Sequence, residues 1–66
     1  MGVMITFMER RAFDLEDDAR FELEVKLPAA PDQSVAAAIG TRYRMLLANA
    51  AHLRGQIADL RALGIS

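Results

Sequence analysis

The sequence of 66 residues has no cysteine, no tryptophan, a single histidine and almost no net charge. The absence of cysteine excludes disulfide bonds and thiolate metal sites. A formal net charge of −1 at pH 7 argues against a protein that holds nucleic acid by bulk electrostatic attraction. A chain this short buries only about 60 % of its unfolded surface, so it commonly needs a staple, a metal or a partner chain. The composition therefore favours a chain that is completed by other chains.

Long apolar runs are also missing. The apolar run at residues 3–8 is shorter than the core of a signal peptide, and charged residues follow it at once. The most apolar later stretch, residues 35–53, contains Arg42 and Arg44 near its centre, which is incompatible with a simple membrane span. We therefore expect a cytoplasmic or particle-associated protein with no signal peptide, no transmembrane segment and no membrane partner.

The sequence carries no pattern of catalytic or metal-binding residues. His52 is the only histidine, and histidine catalysis would need a nucleophile or a second base nearby, whereas the chain offers only Ser34 at a cap, Ser66 at the terminus and no cysteine. The acidic run from Asp14 to Asp18 departs from a calcium-binding loop, because Ala19 and Val25 occupy the positions that need glycine and glutamate. We expect a protein that is not an enzyme, with no catalytic residue, cofactor or metal.

The first half of the chain has an alternating pattern that ends at the Pro-Ala segment 28–31. Apolar and charged side chains alternate along residues 21–27, which is the period of a half-buried β-strand. The apolar members are Phe21, Leu23, Val25 and Leu27, and the charged members are Glu22, Glu24 and Lys26. Residues 3–8 predict a weaker strand, and the acidic run between them predicts a turn. Residues 1–31 therefore predict an antiparallel β-hairpin followed by a Pro-Ala linker.

The second half begins and ends with helix signals. Asp32 is the predicted N-cap, because its carboxylate can accept hydrogen bonds from the amides of the first turn, and Ser34 is the alternative cap. Gly64 predicts the end of the helix, since glycine adopts the left-handed conformation that a helix stop requires. Ile65 would then fold back on Leu60.

Residues 32–66 are accordingly predicted to hold one amphipathic helix from residue 33 to residue 63, although Gly40 or Gly55 could break it. Its apolar residues follow a seven-residue repeat that is typical of a coiled coil. The members of this heptad seam are Ile39, Tyr43, Leu46, Ala50, Leu53, Ile57 and Leu60.

The length of the predicted helix exceeds what a β-hairpin can cover. A helix of this length spans about 46 Å at ~1.5 Å per residue. A strand of about eight residues reaches only about 27 Å. Either the helix breaks at a glycine and packs on its own hairpin, or other chains cover the seam. We expect the second, so the heptad seam is the predicted oligomer interface and a second copy of the chain the predicted partner, with other protein subunits as further candidates.

Residues 21–28 loosely resemble the strand of a ribbon-helix-helix repressor, a dimer whose paired strands enter the DNA major groove. The outward residues of that strand usually carry basic or amide side chains, whereas this sequence has Glu22, Glu24 and Lys26. This resemblance implies a small DNA-binding regulator as an alternative function.

The sequence as a whole predicts an α+β chain, with an N-terminal β-hairpin followed by one long C-terminal helix that carries the heptad seam. The predicted function is that of a non-enzymatic, oligomeric structural or assembly subunit, such as a component of a phage virion or tail complex. The high alanine and arginine content with a single lysine suggests a bacterial or phage genome rich in G and C. A further alternative is an accessory subunit of an enzyme complex.

Overall fold

The computed structural model describes residues 3–64, which form an antiparallel helical hairpin. Helix α1 runs from Val3–Phe21 and continues as a π-helical segment over Glu22–Lys26, and helix α2 spans Gln33–Ala62. The molecule measures 48 × 14 × 11 Å along its principal axes. Because residues 3–64 include no strand, the predicted β-hairpin is wrong, and the fold is all-α rather than α+β.

Helix α1 forms because its buried residues recur every three or four positions along the chain. Such spacing places them on the one face of α1 that packs against α2. The buried or half-buried members of this inner stripe are Ile5, Met8, Ala12, Leu15, Ala19 and Glu22. No glycine or proline interrupts the chain between residues 3 and 27, so nothing in the acidic run ends the helix. The run that predicted a turn is therefore the middle of α1.

The alternating residues that predicted a strand lie in the last turn of α1 and in the π-helical segment. The Leu27 amide donates to the Glu22 carbonyl at 2.8 Å, which is the five-residue spacing of a π-helix. The side chains of Phe21, Leu23 and Val25 are exposed, whereas that of Glu22 is buried. At these four positions the burial is the reverse of what the alternation predicted, whereas Glu24 and Lys26 are exposed as predicted and Leu27 is half-buried. The strand on which the ribbon-helix-helix resemblance depended is thus not formed.

Helix α2 begins where the sequence predicted. The backbone amide of Val35 donates to the Asp32 carboxylate at 2.9 Å, which confirms Asp32 as the N-cap. The helix runs unbroken through Gly40 and Gly55, neither of which ends it.

The C-terminal end of α2 follows the predicted glycine stop. Gly64 has a φ of +78°, and its amide donates to the Arg61 carbonyl at 3.0 Å. This left-handed glycine confirms the predicted stop. The predicted contact of Ile65 with Leu60 lies outside the described residues.

Because the first half of the chain is a helix rather than a β-hairpin, it is long enough to cover most of α2. Its 19 residues and the 5 of the π-helical segment reach about 36 Å at ~1.5 Å per residue, against about 45 Å for the 30 residues of α2. Most of the α2 seam is therefore covered by the chain's own first half. Neither described helix has an apolar stretch long enough to cross a membrane.

Candidate interaction surfaces

The predicted heptad seam of α2 faces α1. Its members are buried at Leu46, Ala50 and Ile57 and half-buried at Ile39, Tyr43, Leu53 and Leu60. Leu46 and Ala50 form one core cluster with Leu15 and Ala19 of α1. The pattern thus marks the face of α2 that packs inside the chain. Contact of the seam with a second chain stays a prediction.

Ion pairs along one flank join α1 to α2. The Arg54 guanidinium donates two hydrogen bonds to the Glu16 carboxylate, from Nε at 2.8 Å and from a terminal nitrogen at 2.5 Å. Two helical turns further toward the chain ends, Arg61 lies 3.0 Å from Glu9. The hydrogen bond from Arg54 lowers the pKa of Glu16 below its ordinary value, and the same bond raises the pKa of Arg54. These pairs favour the observed antiparallel register of the two helices.

A buried carboxylate lies at the turn end of the hairpin. Glu22 is only 3 % exposed, and its Oε1 lies 2.7 Å from the Nε of Arg42. The ammonium group of Lys26 lies 3.0 Å from Oε2. Oε2 has no hydrogen-bond donor among the described residues, so the contact with Lys26 is a charge contact. Arg42 therefore supplies the contact at 2.7 Å that joins the Glu22 carboxylate to α2.

An open groove runs beside Glu22 along α2. Two adjoining cavities of about 310 and 300 Å³ make up this groove, and both are lined by Ala38 and Arg42. Val35 and Met45 add apolar side chains to its walls and are themselves largely exposed. The groove is shallow, open to solvent and mixed in polarity, which suits contact with another protein surface better than enclosure of a small molecule.

The most exposed aromatic side chains are the three phenylalanines of the chain. Phe7, Phe13 and Phe21 are 71 %, 63 % and 51 % exposed, and the core contains none of them. Phenylalanine is ordinarily among the more buried residue types, and large exposed apolar areas mark interaction sites. Sequence reasoning missed these residues because it assigned two of them to strands. The spacing of the inner stripe of α1 was the signal that could have placed them outside the core.

The residues considered for chemistry are spread along the outside of the hairpin. His52 is exposed on α2, and Asp14, Asp17 and Asp18 are exposed on α1. Among residues 3–64, no three histidine or acidic side chains come together in a group that could hold a metal ion. The geometry brings together apolar and charged surfaces rather than a nucleophile with a base.

Comparison of the chain with protein-family models, with curated proteins and with solved structures finds no match among them.

Proposed function

We propose that this chain is a non-enzymatic assembly subunit, a helical hairpin that associates with further copies of itself through its exposed apolar side chains. The observation that carries the proposal is the exposure of all three phenylalanines in a chain of 66 residues. Leaving large apolar side chains in water forgoes about 1.5–3 kcal/mol each, which association recovers in part. In this role the protein would act in the cytoplasm or as a component of a larger particle such as a phage virion or tail complex.

The total surface of the chain supports the same proposal. Its accessible area is 4923 Å² at a mass of 7.3 kDa. A compact monomer of that mass exposes about 4,200 Å². The excess of about 700 Å² is close to the ~800 Å² that each partner contributes to a protein interface of standard size. A lone hairpin of two helices thus has about as much surplus surface as one partner needs.

The concentration dependence of the mass tests this proposal. We expect sedimentation equilibrium of the full chain to give a mass above that of one chain at high concentration and a fall toward one chain on dilution. Circular dichroism on the same samples should report whether helix content changes with the mass. A mass of one chain at every concentration would contradict the proposed function.

A further inference from the structure

The side of α1 that faces away from α2 carries a set of exposed apolar and charged side chains. Every member of this outer face is exposed, and the π-helical segment extends it by one residue. We define the outer face by its residues, which are Val3, Phe7, Arg10, Arg11, Asp14, Asp17, Asp18, Phe21 and Val25. Spacings of four and three residues place these positions on one side of the helix. Helix α1 therefore presents its inner stripe to α2 and the outer face to its surroundings.

The residues of the outer face are arranged symmetrically about Asp14: apolar positions match apolar positions, and charged positions match positions of opposite charge. Matched positions lie at equal distances along the chain on either side of Asp14. The matched pairs are Val3 with Val25, Phe7 with Phe21, Arg10 with Asp18, and Arg11 with Asp17. The ends are apolar, the N-terminal half of the middle is basic and the C-terminal half is acidic.

The charges of the outer face make no ion pair with the rest of the hairpin. The acidic residues of α1 that pair with α2 are Glu9, Glu16 and Glu22, all on its other sides. Among the described residues, no salt bridge involves Arg10, Arg11 or the three aspartates of the outer face. These side chains are available to an external partner of matching charge.

From this pattern we infer that a second copy of the chain docks on the outer face of α1 with its own α1 antiparallel. The inference rests on the proposed function and names its surface and geometry. Antiparallel docking sets Arg10 and Arg11 of each copy beside the partner's two aspartates, Asp17 and Asp18, and each Phe7 opposite the partner's Phe21. The two-fold axis passes near Asp14, so the two copies of Asp14 meet once at the centre, and every other contact occurs twice, as in an isologous dimer. Four arginine–aspartate contacts of opposite sign then stand against that single contact of like charge.

Parallel docking of two such helices is disfavoured by the same charges. It would place arginine opposite arginine and aspartate opposite aspartate, and like charges across an interface are destabilising. The pattern therefore selects one orientation as well as one partner.

Charge reversal tests the surface. One variant carries Arg10→Asp and Arg11→Asp, and the other carries Asp17→Arg and Asp18→Arg. We expect each variant alone to lose self-association at concentrations where the wild-type chain is a dimer, because like charges then meet on both sides of the two-fold axis, in the middle of the interface. An equimolar mixture of the two variants should recover dimers, because each pair formed by positions 10 and 11 with positions 17 and 18 is again of opposite sign, and the central Asp14 contact is the same as in the wild type. Arg44→Asp, which reverses an exposed arginine of α2, should leave the wild-type mass unchanged.

Cysteine cross-linking tests the orientation, because the chain has no cysteine of its own. Under mild oxidation, a Phe7→Cys chain mixed with a Phe21→Cys chain should give cross-linked heterodimers. Phe7→Cys alone should give few, since its two thiols would lie at opposite ends of the interface. Phe13→Cys, which is exposed but lies off the outer face, should not cross-link to Phe21→Cys.

The outcomes separate the two proposals. An oligomer that survives both charge reversals overturns the outer-face interface and leaves the proposed function standing. Efficient cross-linking of Phe7→Cys alone overturns the antiparallel geometry. A wild-type chain that is monomeric at every concentration overturns both the interface and the proposed function.

Discussion

Replacing Arg42 by alanine should destabilise the hairpin, whereas replacing its partner Glu22 by leucine should not. The two residues form one ion pair, with Oε1 of Glu22 2.7 Å from Nε of Arg42. The asymmetry arises from burial, because the Glu22 side chain is 3 % exposed and that of Arg42 is 62 % exposed. Loss of Arg42 leaves a buried carboxylate whose one remaining ion pair is with Lys26, whereas loss of Glu22 leaves a guanidinium that water can solvate.

The expected size of the effect follows from what remains around Glu22. Breaking a fully buried ion pair costs about 3–5 kcal/mol. Because Lys26 stays 3.0 Å from the carboxylate, we expect a smaller loss for Arg42→Ala, about 1–3 kcal/mol. That corresponds to a decrease in Tm of roughly 5–20 °C for a chain of this size. Glu22→Leu extends the apolar inner stripe of α1 beyond Ala19 and should leave stability within about 1 kcal/mol of wild type, or raise it.

Urea unfolding followed by circular dichroism at one fixed protein concentration measures these changes. The matched control is Arg44→Ala, which removes an arginine of the same helix that has no ion pair among the described residues and should alter stability by less than about 0.5 kcal/mol. A greater loss of stability for Glu22→Leu than for Arg42→Ala would refute the reasoning, because the carboxylate itself would then be the stabilising group.

Three further predictions follow from the packing of α2. Gly55→Ala should stabilise the chain by about 0.5–1 kcal/mol in thermal unfolding, because a Cβ there meets no atom within 4 Å and glycine disfavours a helix interior. Since Arg54 lowers the pKa of Glu16, their pair should stabilise the fold fully above the ordinary pKa of glutamate and cease to do so as the pH falls through the lowered value. Arg54→Gln should remove that part of the acid dependence from a pH series of unfolding curves; an unchanged series would contradict the pairing. Leu53→Asp should reduce helix content at every protein concentration, because Leu53 packs against the core between the helices, whereas His52→Asp on the exposed side should not. A loss for Leu53→Asp that disappears at high concentration would instead place Leu53 in an interface between chains.

The features that sequence reasoning predicted correctly are those with a local physical cause. The carboxylate of Asp32 and the left-handed freedom of Gly64 set the ends of α2 through groups within four residues of each end. The heptad seam likewise identified the side chains of α2 that are removed from water. It could not show whether another chain or the chain's own first half covers them, because the same repeat serves both arrangements.

The first half of the chain was wrongly assigned to strands because an alternating pattern and a helical pattern overlap in the same residues. Residues 21–27 alternate in polarity, yet the helical repeat of the inner stripe also passes through Glu22, a position that polarity alone assigns to the outside. Two members of that stripe, Ala12 and Ala19, are too small to stand out as apolar landmarks, although both are 0 % exposed. The burial of Glu22 depends on its ion pair with Arg42, which is distant in sequence, so the pattern of neighbouring residues could not predict it.

Helix α1 would be the central element of the proposed dimer, since its inner stripe and its outer face would contact different partners. The inner stripe uses alanine at Ala12 and Ala19, which lets α2 approach closely, and its one charge at Glu22 is neutralised from α2. The outer face has a charged middle that would not form a dry core, so its apolar ends must supply most of the buried area. Charges that remain near water contribute more to orientation and association rate than to affinity. Such an interface favours a reversible dimer of defined orientation, and reversibility is what an assembly subunit requires if copies are to be added and rearranged while a larger particle forms.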